Sequence, residues 1–229
     1  MLKTLPTPTF PPTPLPPLWE VAPEPSLPDL VLLTPPEKWQ PAEGEAVQEV
    51  TAKIAQKLAD TIHHNPALLE ITGTVTAVQA FWLVYGGPVE FRRTGQSCTE
   101  SRAARGLPHM PCDQGIWGET VSANLVLVFK EATPSKLATH PRWFVHELGH
   151  AFSYATGKQA ERDVPHSLLS RNTFAGPLNA WQFSSSVEPG EVFADLFLAW
   201  VFDAWGQTGN GKLFMDMFAP VWLGIAILD

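Results

Sequence analysis

The chain has 229 residues, of which 45% are hydrophobic and 17% charged. That supports one full hydrophobic core, with or without an appendage, and leaves too little for two large domains. The formal charge is −8 with no run of Lys or Arg, which argues against nucleic acid as a partner, because such binding neutralises phosphates with clustered cations.

Prolines divide the chain before any motif is read: 13 of the 23 fall between Pro6 and Pro41. Residues 1–41 therefore read as a Pro-rich, extended or disordered arm, and residues 42–229 as the globular domain. The apolar residues Trp19, Trp39 and Leu30–Leu33 make the arm a candidate docking segment for a partner; the alternative is a solvated tail. Prolines interrupt residues 1–30 every few positions, so no secretory leader is visible.

From Gly44 the pattern changes. Val47, Val50, Ile54, Leu58 and Ile62 recur at three- and four-residue steps, which predicts an amphipathic helix ending before Asn65-Pro66. The β-branched and aromatic residues of Ile71–Val78 and Phe81–Tyr85 predict strands, followed by a turn at Gly86-Gly87-Pro88 and a strand at Val89–Phe91. Residues 92–118 read as a long loop. Its Cys98 and Cys112 fit a disulfide outside the cell and free thiols inside it. The default expectation is thus a cytoplasmic protein, with secretion as the alternative if the two cysteines are bonded. Asn124–Lys130 predicts one more strand.

Two helices follow, each introduced by a proline and closed by a glycine: about Pro141–Thr156 before Gly157, and about Pro189–Trp205 before Gly206. The intervening residues 158–188 read as mostly irregular. A third apolar helix is expected over much of Lys212–Leu228. The apolar runs Val192–Phe202 and Phe218–Leu228 fall short of the roughly 20 residues of a membrane span, so none is expected.

The first of these helices carries His146-Glu147-Leu148-Gly149-His150. Histidines four apart project from one helix face and can reach one metal ion. Glu147 lies about 100° further round, where it can accept a proton from a water on that ion. The flanking Trp143, Phe144, Val145, Ala151 and Phe152 are uncharged, as a buried helix requires. Gly149 costs about 1 kcal/mol relative to Ala inside a helix, which implies close packing at that point. In the second helix, Glu191 and Asp195 share a face of a helix that is otherwise almost wholly apolar. Carboxylates there are expensive to bury unless paired or bound to metal. Glu191 is the candidate third ligand.

The pattern His146-Glu147-Leu148-Gly149-His150, followed by Glu191-Val-Phe-Ala-Asp195, resembles the gluzincin group of zinc metallopeptidases. In its inter-helix spacing it is most similar to the catalytic domain of anthrax lethal factor. The resemblance covers roughly residues 140–205. It implies an α+β, zincin-like metallopeptidase domain with a small mixed β-sheet and an active-site helix, preceded here by the Pro-rich arm. It implies Zn2+ held by His146, His150 and Glu191, with Glu147 as general base and Asp195 orienting a ligand histidine. The implied activity is hydrolysis of a peptide or protein substrate by metal-activated water, with Asn124–Phe129 as the strand that pairs with extended substrate.

The chain departs from the lethal-factor pattern in one respect: no tyrosine lies about two turns before Glu191, where Trp181–Ser186 stands instead. Tyr154 and His166 are the candidate oxyanion stabilisers, with His140 and Arg171 behind them. The missing tyrosine also leaves open an alternative, a catalytically inactive zincin-fold module that binds metal or a partner.

Overall fold

The structure is a computed structural model and describes residues 26–107, 112, 116–165, 168, 188–205 and 210–228. Among these residues nine α-helices pack around a four-stranded mixed sheet. The coarse expectation, α+β with a small mixed sheet, holds.

The strands are β1 (Val31–Thr34), β2 (Val89–Arg93), β3 (Gly118–Ser122) and β4 (Leu125–Val128), in the order β1-β2-β4-β3. β1 and β2 pair in parallel, with Val31 opposite Val89, and β2 and β4 pair in parallel, with Phe91 opposite Val126. β3 runs antiparallel to β4 and closes one edge, with Thr120 opposite Val126 and a register shift between Thr120 and Ser122. Alternation along the strands sends Val89, Phe91, Val126 and Val128 into the main core. On the opposite face Leu127 and Phe129 pack with Cys98, and Cys112, Ile116 and Val121 lie against them.

The sequence puts the boundary of the folded body after Pro41. The structure instead threads residues 26–41 through it. Leu30 is fully buried, β1 forms an edge of the sheet, and Trp39 lies under the Arg93 guanidinium at 4.6 Å. The cause is long-range: the prolines suit an extended chain, and the sheet edge supplies the pairing. Residues 1–25 of the expected arm lie outside the described residues.

Helix α1 (Pro41–His63) matches the predicted amphipathic helix and extends it at the N-terminus. Val47, Val50, Ile54, Leu58 and Ile62 are its buried stripe. Its first turn carries Glu43, which is fully buried and satisfied by two partners: the Gln40 N–H and the Arg93 guanidinium. Arg93 also donates to the Ala132 carbonyl at 2.9 Å, so one ion pair ties α1 to β2.

The predicted strands at Ile71–Val78 and Phe81–Tyr85 are helices: α2 (Pro66–Thr72) and α3 (Ala77–Tyr85). Capping outweighs β propensity here. The Asn65 side chain accepts from the Leu68 N–H, and Thr76 and Gln79 exchange the two hydrogen bonds of a capping box. Gly86 then ends α3 in the left-handed conformation at φ +71. Ala80, Phe81, Val84 and Tyr85 are the buried face that a helix, not a strand, makes contiguous.

The expected loop at 92–118 contains helix α4 (Cys98–Ala104), opened by a Ser97/Glu100 capping box. Cys98 is bonded to Cys112, which fastens α4 over the outer face of the sheet. Short helix α5 (Pro134–Thr139) leads into α6 (Arg142–Ala155), the motif helix. Helix α7 (Gln159–Arg162) follows, then α8 (Pro189–Phe202) and α9 (Asn210–Leu228). On length and composition α9 could cross a membrane, a longer stretch than the run Phe218–Leu228 implied. In this fold its inner face is core: Phe214, Met215, Ala219, Trp222 and Leu223 are buried.

Candidate metal centre

Helices α6 and α8 cross in direct contact, and the residue that permits it is Gly149. A Cβ at that position would lie 3.0 Å from the Ala194 Cα and 3.1 Å from the Phe197 Cβ. The close packing that Gly149 implied in the sequence is therefore the α6–α8 crossing. Behind it, Phe152 stacks on Phe193, Phe197 lies tilted against both, and Trp222 of α9 is edge-on to Phe193. From above, the buried Tyr85 hydroxyl donates to the Leu148 carbonyl at 3.1 Å, fixing α3 against α6. Burial pushes this phenol's pKa well up. It serves the helix and is no proton donor near neutrality.

The crossing brings the predicted ligands together. His146, His150 and Glu191 offer ligand atoms that all lie within 4.8 Å of one another. The two imidazoles are one helical turn apart, with ring centroids 4.9 Å apart and planes nearly perpendicular. Glu191, in the first turn of α8, faces both: its Oε2 is 3.2 Å from His146 Nε2 and its Oε1 is 3.6 Å from His150 Nε2. That first turn is also where the helix dipole favours a carboxylate.

Asp195 is one turn further along α8 and buried. It accepts from His146 Nδ1 at 2.8 Å. This is the expected orienting contact, and it turns His146 Nε2 toward Glu191. Burial of the His146 ring opposes its charged form. The carboxylates of Asp195 and Glu191 outweigh that and hold its pKa well above the ordinary 6.5. Burial likewise tends to raise the Glu191 carboxyl, yet hydrogen bonds and charge from His146 and His150 hold it well below the ordinary range. Without metal His146 and Glu191 thus form an ion pair, with His150 beside it.

The donor set fits a zinc ion. Two imidazole nitrogens and one carboxylate oxygen suit zinc's preference for nitrogen and oxygen donors at about 2.0–2.2 Å. A set already within 4.8 Å needs little rearrangement to close on one ion. Asp195 supplies the hydrogen-bonded partner that ligand histidines usually have.

Glu147, next to His146 on α6, faces β3 of the sheet. It is buried, and its Oε2 accepts a hydrogen bond of 2.7 Å from the Thr120 hydroxyl on β3. The same hydroxyl lies 3.0 Å from the Glu147 carbonyl oxygen. The strand beside the motif helix is therefore β3, the sheet edge. This corrects the expectation for Asn124–Phe129: β4 lies inside the sheet, paired with β2 on one side and β3 on the other, so its backbone has no free edge. At the start of β3, Gly118 is needed because a Cβ there would sit 2.6 Å from the Trp143 ring and 2.5 Å from the Leu127 carbonyl.

Thr120 is the site residue that sequence reading missed. Its signal was a two-residue connection, Ala123-Asn124, between β3 and β4, which is the spacing of a tight hairpin. Of the candidate oxyanion stabilisers, Tyr154 lies on α6 with its ring face under the Lys158 ammonium at 4.6 Å. His140 is exposed and stands edge-on to Trp117 at 5.4 Å. His166 and Arg171 lie outside the described residues.

Compared with known protein families, characterised proteins and solved structures, the chain has no significant match in any of the three.

Proposed function

We propose that this protein is a zinc-dependent peptidase of the gluzincin type. The observation that carries the reading is the convergence of His146, His150 and Glu191 within 4.8 Å, from two helices whose motif residues lie 41 positions apart in the chain. Two features support catalysis beyond metal binding. Glu147 follows His146 directly and faces β3, the edge strand of the sheet, where a substrate backbone can pair. Asp195 fixes the His146 ring.

Bound zinc supplies a Lewis acid that lowers the pKa of a water from 15.7 to about 7 and polarises a carbonyl. The chain's own part is as follows. His146, His150 and Glu191 would hold the ion. Glu147 takes the proton of the attacking water and returns it to the departing amine. Asp195 keeps His146 in the tautomer that coordinates through Nε2. Among the described residues β3 has no strand partner on its outer side, where its backbone donors and acceptors align an extended peptide.

Two measurements test this. Purified protein should hold close to one zinc per chain, lost on His146→Ala or Glu191→Ala, and full occupancy in Glu191→Ala would remove that residue from the ligand set. A peptide-library digest should show cleavage by the wild type and none by Glu147→Gln, which keeps its zinc. Bound zinc with no cleavage by either protein would favour a metal-holding interaction module.

A further inference from the structure

We infer that Thr120 is a positioning residue for Glu147, holding the base's carboxylate at the angle its reaction needs; this rests on the peptidase reading above. The hydroxyl is buried on the edge strand and lies 2.7 Å from Glu147 Oε2. Glu147 is itself buried, with 6% of its surface exposed. A carboxylate that far from solvent needs a partner, since a buried acceptor left unmade costs roughly 1–3 kcal/mol. Thr120 takes one of its two oxygens and so restrains the orientation of the carboxylate.

Three further facts fit a dedicated device over ordinary strand packing. Thr120 Oγ1 also reaches the Glu147 carbonyl at 3.0 Å, so one hydroxyl touches both the backbone and the side chain of the same residue. The single hydroxyl proton lies between two acceptors of Glu147, with the carboxylate oxygen the nearer, so the contact ties β3 to α6 at the base. The register of β3 against β4 shifts between Thr120 and Ser122, and strand irregularities of this kind commonly re-aim a side chain beside a site. Two residues before Thr120 on the strand, Gly118 admits the Trp143 ring against the backbone, one turn before Glu147 on α6. The strand is thereby pressed against the motif helix beside the contact. Threonine's methyl fills the buried pocket while its hydroxyl makes the bond. Valine would keep the shape and lose only the bond.

The experiment compares Thr120→Val and Thr120→Ser with wild type in two ways. The first needs no substrate: crystal structures of the metal-free proteins. Thr120→Val should leave the Glu147 carboxylate spread over two or more orientations, while wild type and Thr120→Ser show one. The second is kinetic, on a peptide from the library digest. Thr120→Val should lose about 10–100-fold in kcat, in the range seen when the partner of a site residue is removed, with KM and zinc content within about twofold. Thr120→Ser should recover most of that loss. A single unchanged Glu147 orientation in Thr120→Val, or an undiminished kcat, would overturn the assignment. If no form of the protein cleaves peptides, the peptidase reading fails, and the crystallographic comparison still decides whether Thr120 positions Glu147.

Discussion

His146 and Glu191 hold opposite charges at contact distance, so the metal-free centre has its own dependence on pH. His146 is raised above its ordinary 6.5; such a group adds stability in full below that value and loses it as pH rises through the folded value. Glu191 is depressed below its ordinary 4.5; it adds stability in full above that value and loses it as pH falls through the folded one. Both contributions are complete only between 4.5 and 6.5. Zinc changes the slope, because it must displace the proton from His146 Nε2. Thermal melts should therefore show a Tm gain on adding zinc that grows from about pH 5.5 to about pH 8. Chelator-treated protein should exceed its Glu191→Gln variant most inside the acidic window. A zinc-induced gain that stayed flat across this range would contradict the ion pair.

Asp195 makes a second claim at the same scale. It touches His146 Nδ1 and leaves Nε2 for the ion, so Asp195→Asn should weaken zinc binding without abolishing it. Chelator competition should show a drop of about 10–100-fold. A complete loss, equal to that of His146→Ala, would make Asp195 a ligand. The candidate residues were legible in the sequence because they sit on two short helical patterns, each with its spacing of four. Thr120 was not legible in that way. It lies 27 positions before Glu147, on a strand whose five residues include a glycine and two hydroxyl side chains, so no local apolar pattern announces it.

At the scale of elements, the centre depends on how closely α6 and α8 approach. Glu191 and Asp195 ride on α8, and both histidines ride on α6, so their mutual distances are set by the crossing at Gly149. Alanine at this position would gain about 1 kcal/mol of intrinsic helix propensity. Its methyl would meet backbone atoms of Ala194 at 3.0 and 3.2 Å, which cannot swing aside as a flexible side chain can. Overpacking a core typically costs 1–3 kcal/mol, so the clash should win by a small margin. Gly149→Ala should lower Tm modestly and weaken zinc more than that change in stability accounts for, because the ligand helices separate. Unchanged zinc affinity in a less stable protein would show that the centre tolerates the separation. The elements that sequence reading misjudged have a related cause. Residues 71–85 carry β-forming side chains, and what makes them helices is the capping at Asn65 and Thr76 together with a face buried against α1 and α9. Propensity is local, and the packing that overrides it is not.

For the whole molecule the decisive correction is where the body begins. Proline density locates a change of composition, but the sheet extends past it: Val31 pairs with Val89, a partner 58 positions away that leaves no mark on the sequence around it. Leu30, fully buried, and Trp39, beneath Arg93, complete the contribution of residues 26–41. Arg93 in turn neutralises Glu43, which has no exposure at all. A truncation after residue 41 would strip β1 from the sheet and uncover this ion pair together. Loss of one buried leucine side chain typically costs 2–5 kcal/mol. In a protein of this size each 1 kcal/mol lowers Tm by roughly 2–4 °C. Deleting residues 1–41 should therefore lower Tm by about 4–20 °C relative to deleting residues 1–25. Any effect of the Pro-rich arm on peptidase activity is then read from the shorter deletion, whose sheet is intact. Equal melting temperatures for the two truncations would mean that β1 adds nothing to the stability of the sheet.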